Sequence, residues 1–242
     1  MRNLKLLLEY DGTDFCGWQW QPKGRSVQGV LQTALTQLLQ EEVKVIGSGR
    51  TDSGVHALGQ VVNFKTDSVL DLKSVRLGLN SYLPDDVVVI KAQEVRADFH
   101  ARFDAIKRKY HYVIAQRPRA IFRRFSWYCK YPLNLETMRA ASHYFLGKHA
   151  FTAFCKPNED ETHYLCHVEL IKWQETEDAF IFEICANRFL HHMVRILVGT
   201  FVDVGRGKLN PDAMKSILVS KDRNRAGSLV PPQGLFLESV YY

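Results

Sequence analysis

The sequence has no uninterrupted apolar run that approaches a membrane span. Near its start, Leu6, Leu7 and Leu8 are cut off at once by Glu9, too short a run for the core of a secretory signal. A cytoplasmic protein without membrane contact is expected. Cysteine is scarce: the five residues Cys16, Cys129, Cys155, Cys166 and Cys185 are odd in number, scattered and form no CxxC pair. Reduced thiols fit this better than a disulfide framework. One Cys/His cluster, Cys155, His163, Cys166 and His167, matches no zinc spacing, so no metal is expected. The dinucleotide pattern GxGxxG is missing too. Gly47, Gly49 and Gly54 are spaced differently, and an apolar strand, not a helix N-terminus, follows them, so no nucleotide cofactor is expected.

What is present begins with positive charge. Thirty-two Lys and Arg against 26 acidic residues give a formal charge of +6 and a pI near 9.0, which suits a polyanionic partner. The excess is concentrated. From Arg102 to Arg124 there are eight basic residues (Arg102, Lys107, Arg108, Lys109, Arg117, Arg119, Arg123, Arg124), a single acid, Asp104, and the aromatics Phe103, Tyr110, Tyr112 and Phe122. Such interleaving fits phosphates and unstacked bases as well as it fits a solvated basic face.

Periodicity sets the order of elements. "LKLLLEYDG" reads as a strand closed by an Asp-Gly turn. "SVQGVLQTALTQLLQEE" reads as a helix capped by Ser26, with Val27, Val30, Leu31, Ala34, Leu35, Leu38 and Leu39 on one stripe. Strand "VKVIGSG", strand "GQVVNFKT", a helix from Leu72 stopped by Pro84, and strand "DVVVIKAQEV" complete a β-α-β-β-α-β order. The second half repeats it with "KRKYHYVIAQ", a helix over 134–147, strands "HVELIKWQE" and "AFIFEICAN", a helix over 189–205, a short helix after Pro211 and strand "GLFLESVYY". The fold class expected is α+β, built from two split βαβ units. The division expected is residues 1–102 and 103–242, with a ligand cleft where the halves meet.

The stretch "GSGRTDSGVHALGQVVNF" places Asp52 among glycines that permit tight backbone geometry, with Arg50 two residues before it to hold or shield its charge. An aspartic protease needs two carboxylates sharing a proton; "TDSG" occurs once, and Arg50 would keep Asp52 ionised. A turn with no chemistry remains open. In "FLHHMVRILVGTF", Arg195 lies at the margin of an apolar helical stripe, one turn beyond His191, where it either pairs with a carboxylate or reaches solvent. In "KRKYHYVI", alternation puts Arg108, Tyr110, Tyr112 and Ile114 on one face and Lys109 and His111 on the other.

At these segments the sequence resembles the TruA-type tRNA pseudouridine synthases of bacteria. "GRTDSGVHALGQV" is similar to the family's block that carries the catalytic aspartate, "RKYHYVI" to its tyrosine strand and "FLHHMVRILVG" to its arginine helix. Similarity extends from "YDGTDFCGWQWQP" through "FHARFDA" to "VPPQGLFLESVYY". Trp20 stands where the family commonly has a basic residue. The resemblance implies two ferredoxin-like halves forming one extended, mostly antiparallel sheet with a basic cleft, and a homodimer without metal or cofactor. It implies isomerisation of uridine to pseudouridine at positions 38, 39 and 40 of the tRNA anticodon stem-loop. Asp52 is then nucleophile or general base, Arg195 its ion-pair partner, and Arg50 a loop support or base-flipping group. Tyr110 stacks on the target uracil, and Arg102, Lys107, Arg108 and Lys109 meet phosphates. A binding module without turnover, in contrast, has no need of a buried acid.

Overall fold

The computed structural model describes residues 1–157 and 163–242. The chain divides into two compact units, Met1–Ile106 with Phe236–Tyr242, and Lys107–Leu235. In the first unit the elements are β1 (Arg2–Tyr10), α1 (Val27–Leu39), β2 (Ile46–Gly47), β3 (His56–Thr66), α2 (Leu72–Tyr82) and β4 (Val87–Val95). In the second they are β5 (Lys107–Ala115), β6 (Trp127–Tyr128), α3 (Leu135–Ser142), β7 (Gly147–Ala150), β8 (Leu165–Glu175), β9 (Ala179–Ala186), α4 (Met193–Gly205) and α5 (Ala213–Ser220). Strand β10 (Leu235–Tyr241) closes the chain. The class is α+β, as the order of elements predicts, and the pairing is mostly antiparallel, as the resemblance implies. Among the described residues no helix is long and apolar enough to cross a membrane.

The first unit is built on β1. Leu4, Leu6 and Leu8 are fully buried and stand opposite Phe64, Val62 and Gln60 of β3. β4 pairs with the other edge of β1, and β2 pairs with β3 through Ile46 opposite Asn63 and Gly47 opposite Val62. Helix α1 starts where the Ser26 hydroxyl accepts from the Gly29 amide at 3.2 Å. It buries Val27, Leu31, Ala34 and Leu35, a stripe at helical spacing. The opposite face of the sheet is covered by residues 96–106: Phe99 and Ala101 pack on Val61, with Leu7, Ile46, Val95 and Val240 around them. A buried amide pair fastens this cover. Asn63 donates to Asn3 Oδ1 at 3.0 Å and accepts from the Ala101 amide at 2.8 Å, and Asn3 donates to the Phe99 carbonyl at 2.9 Å.

The division differs from the expected cut after residue 102 in two ways. It falls at 106/107, because the covering segment belongs with the sheet it covers. The last strand belongs with the first unit, because β10 runs parallel to β3 with Phe236 opposite His56 and Leu237 opposite Ala57. A register between residues so far apart in sequence leaves no local signature.

In the second unit the strand order is β5-β9-β8-β7, antiparallel throughout, with β6 added in parallel to β5. Phe201 of α4 centres the core, its ring 5.4 Å from Phe145, 5.8 Å from Trp173 and 5.4 Å from Phe182. Two helices begin or end inside the expected ranges. α3 stops at Ser142 and tightens into a 3-10 turn over His143–Phe145. α4 begins at Met193, not at residue 189, because His192 takes a left-handed backbone (φ 64°) that no helix interior accommodates. His191 therefore does not share a helix with Arg195.

Phe201→Ala should cost about 3–5 kcal/mol of stability in urea unfolding, while Val219→Ala at the exposed face of α5 should change it by under about 0.5 kcal/mol. Equal effects would show that Phe201 is not the centre of this core.

Candidate active site

Residues 48–55 leave the sheet between β2 and β3 without secondary structure of their own, so their backbone groups need partners elsewhere. β3 supplies the first set. The Ser48 amide donates to the Val61 carbonyl at 2.8 Å, the Ser48 hydroxyl to Gln60 Oε1 at 2.6 Å, and Gln60 Nε2 to the Gly49 carbonyl at 3.1 Å. The loop after β1 supplies the second. The Trp18 amide donates to the Thr51 carbonyl at 3.1 Å, the Gly54 amide to the Phe15 carbonyl at 3.3 Å, and the Ser53 hydroxyl to the same carbonyl at 3.2 Å. The Tyr10 hydroxyl meets the Thr51 hydroxyl at 2.8 Å. Burial raises the Tyr10 phenol to about 12, only partly offset by hydrogen bonds with Thr51 and Gln60, so it stays neutral at working pH. Contact is so close at Gly17, whose backbone is left-handed (φ 112°), that a Cβ there would lie 2.8 Å from the Thr51 carbonyl oxygen.

Asp52 rides on this loop, half-buried. The Val55 amide donates to its carbonyl at 3.2 Å, forming a tight turn through Ser53 and Gly54. Beyond the turn, His56 is buried at the first position of β3. The Gly12 amide donates to its Nδ1 at 3.0 Å, and Phe236 stacks on the ring at 4.7 Å. Arg50, in contrast, is exposed and makes no ion pair with any described residue, so the expected hold of Arg50 on Asp52 is absent here.

The second unit positions the other expected residues. Arg195 is only 9% exposed in the mostly apolar first turns of α4, and its Nε donates to the Val230 carbonyl at 2.8 Å. Nearby, Tyr112 is fully buried, with its hydroxyl donating to the Pro231 carbonyl at 2.7 Å. Burial pushes its phenol well above the ordinary range, and the charge of Arg195 counters this only in part. Tyr110 is half-buried and meets the Phe189 ring edge-on at 5.0 Å. Of the two tyrosines on this face, Tyr110 is the more open.

The basic window is more compensated than its composition suggests. Lys107 pairs with Glu169 at 2.9 Å and Lys109 with Glu183 at 2.8 Å, the latter pair largely buried. Arg108 donates to the Asn187 carbonyl at 3.0 Å. Burial pushes the Glu183 carboxyl up, but Lys109, Lys172 and Gln174 together hold it below its ordinary value. Arg117 and Arg119 share Asp178 at 2.6 and 2.9 Å. Arg102 is exposed on the 96–106 segment, its guanidinium 5.6 Å from the centre of the Phe103 ring. Cys166 and His167 are neighbours on β8 and point to opposite faces, which prevents the Cys/His cluster from forming one ligand set. Tyr10, Phe15, Trp18, Thr51 and Gln60 are not among the expected site residues. A polar Gln60 inside the strand "LGQVVNF" is the one local signal that could have found them.

A family model described as tRNA pseudouridine synthase matches residues 7–104 and 141–242. The chain belongs to that family and is an enzyme of the isomerase class. Over its whole length it is 45% identical to the tRNA pseudouridine synthase A of Thermoanaerobacter sp. (strain X514), across 100% of both chains. It is likewise 43% identical to the tRNA pseudouridine synthase A 2 of Clostridium perfringens (strain 13 / Type A) and 42% identical to the tRNA pseudouridine synthase A of Brevibacillus brevis (strain 47), each over 100% of both chains.

Two outcomes follow from this geometry. Gln60→Leu removes the link between Ser48 and Gly49 and should cost about 1–3 kcal/mol, with faster hydrogen exchange confined to the amides of residues 48–55. Uniform acceleration across the unit would show that the loop has no order of its own to lose. Lys109→Met leaves Glu183 with the burial that disfavours its charge. Because the folded carboxyl is held below its unfolded value, its stabilisation exists above the unfolded value and is lost as pH falls through the folded one. The acid unfolding limb should therefore move to higher pH in the variant; an unmoved limb would show that the pair contributes nothing.

Proposed function

We propose that this enzyme converts uridine to pseudouridine at positions 38, 39 and 40 of the tRNA anticodon stem-loop, with Asp52 as the essential group. The observation that carries this reading is the "GRTDSGVHALGQV" loop, a half-buried carboxylate on a turn fixed from two sides, in a chain of this family. The reaction exchanges one bond for another within the nucleotide: N1–C1′ breaks, the uracil turns while held, C5–C1′ forms, the C5 proton leaves and N1 is protonated. No atoms are gained or lost. An anion fixed beside the ribose serves either as nucleophile or as the base that removes a ribose proton to give a glycal; both need Asp52 ionised.

The target base has to leave its stack to reach the carboxylate. Tyr110, the open aromatic of β5, is assigned to stack on it, and the exposed Arg50 is assigned to the vacated space or to the RNA backbone. Arg195 is assigned as the cation that keeps Asp52 charged, because a guanidinium buried among apolar side chains is costly without an anion. Arg102, Lys107, Arg108 and Lys109 are assigned to phosphates, which position the RNA without reading its sequence. Arg102 is the most accessible of them; Lys107 and Lys109 exchange their carboxylates for phosphates only when RNA arrives. A homodimer in the cytoplasm completes the reading, supported by the apolar patch of Ile121, Phe122 and Phe125, exposed between β5 and β6.

Asp52→Ala should abolish pseudouridine formation, mapped at single-nucleotide resolution on unmodified tRNA, with tRNA affinity kept within about tenfold, since phosphate contacts dominate affinity. Turnover at even about one-hundredth of wild type would remove Asp52 from the essential role, given that general base or nucleophile loss is worth at least that factor. Arg195→Ala should move the acid limb of the single-turnover rate to higher pH at saturating tRNA, and Arg195→Lys should restore part of it. An acid limb that stays in place would leave Arg195 with a packing role only.

A further inference from the structure

Trp20 is 57% exposed, a large aromatic surface that none of the roles above uses. Its position is fixed with unusual economy. The Trp20 amide donates to Gln28 Oε1 at 2.9 Å, and Gln28 Nε2 donates to the Val45 carbonyl at 3.1 Å. The Gln28 amide donates to the Trp18 carbonyl at 3.0 Å, and the Trp18 amide donates to the Thr51 carbonyl at 3.1 Å. Three of these hydrogen bonds tie the Trp20 backbone, through the first turn of α1, to the residue beside Asp52, and the fourth anchors Gln28 to Val45.

The ring also has a built seat. Gly29 lies inside α1, where glycine is worth about 1 kcal/mol less than alanine. A Cβ at Gly29 would lie 3.0 Å from Cδ1 of the Trp20 ring and 3.0 Å from the capping hydroxyl of Ser26, so the indole rests directly on the helix backbone. One edge of the ring is thereby supported while more than half of the residue faces solvent. An exposed indole held at a set distance from the loop, beside the exposed Lys23, has the properties of a base platform: every nucleobase has a face that stacks, and a neighbouring cation can meet the backbone.

We propose that Trp20 is a stacking platform for an unpaired nucleobase of the RNA substrate, a nucleotide other than the one isomerised. The proposal rests on the RNA reading above. It commits to a nucleobase and not to a protein partner, because the adjoining Lys23 is exposed and basic and the fixed relation of Trp20 to the Asp52 loop is needed only by a ligand that reaches both.

The test uses the full chain and an unmodified RNA hairpin of anticodon-arm sequence, with the dissociation constant measured over a salt series. Trp20→Ala should weaken binding about five- to hundredfold at every salt concentration, with the log-log salt slope unchanged, since a stacked base releases no counterion. Trp20→Tyr should recover most of the loss. Wild-type tryptophan fluorescence should be quenched by the hairpin more strongly than that of Trp20→Tyr, in which Trp18 and Trp173 are buried and the half-buried Trp127 sets the residual signal. A wild-type affinity in Trp20→Ala, or a loss accompanied by a flatter salt slope, overturns the platform while leaving the RNA reading intact. So does a changed sedimentation state with unchanged affinity per protomer, which assigns the ring to a protein interface. If the wild-type chain neither binds the hairpin nor forms pseudouridine in tRNA, the RNA reading itself falls, and the platform with it.

Discussion

The loop that carries the Asp52 carboxylate is held from two sides, and much of the first unit is organised around that constraint. Residues 48–55 have few backbone bonds within the loop, so their order is borrowed: from β3 through Gln60 and Val61, and from the loop after β1 through Phe15, Trp18 and Tyr10. Each donor sits in a neutral group. Tyr10 is kept protonated by burial, and Gln60 has no charge to lose, so the frame does not change with pH near neutrality. Much of the remaining unit maintains the frame: the leucine face of β1 fixes β3 in register, and the Asn3–Asn63 pair binds the cover over the other face.

The second unit solves a different problem. It carries cations and aromatics that have to be oriented without collapsing onto one another. α4 buries Arg195 among apolar side chains and turns its Nε to the Val230 carbonyl, which leaves the orientation of the guanidinium determined by the helix. The two tyrosines of β5 share one face and differ in depth. Tyr112 is sealed beneath Pro231 and serves packing, whereas Tyr110, two residues earlier, stays accessible with Phe189 at its edge. Around them Lys107 and Lys109 are neutralised by Glu169 and Glu183, so that the basic strand is stable before any polyanion is present.

These arrangements match a reaction that is an internal exchange of bonds. Neither an external nucleophile nor a group donor has to be bound, and on the function proposed above the demands are an ionised acid, a captive base and an oriented backbone. The enzyme class and the economy of the site agree on this point: the elaborate part is the scaffold under Asp52 and not the number of reactive groups.

Much of this was legible in the chain of residues. The stripe of α1, the alternation of β1 and β5, the mixed class and the order of elements depend on neighbours within a few positions, and those periodicities are written locally. The loop around Asp52 was legible too, through its glycines and the polar residues beside an apolar strand. Other features were decided only by tertiary structure. The start of α4 is set by a left-handed His192, and the allegiance of β10 by a parallel register with His56 and Ala57. The compensation of Lys109 depends on a glutamate on another strand, the fastening of the loop on Tyr10 and Trp18, and the seating of Trp20 on a glycine nine residues further on. Each is a contact between side chains or backbones whose closeness follows from the fold, and local sequence has no term that records which distant partner a buried charge, a backbone carbonyl or an aromatic ring will meet.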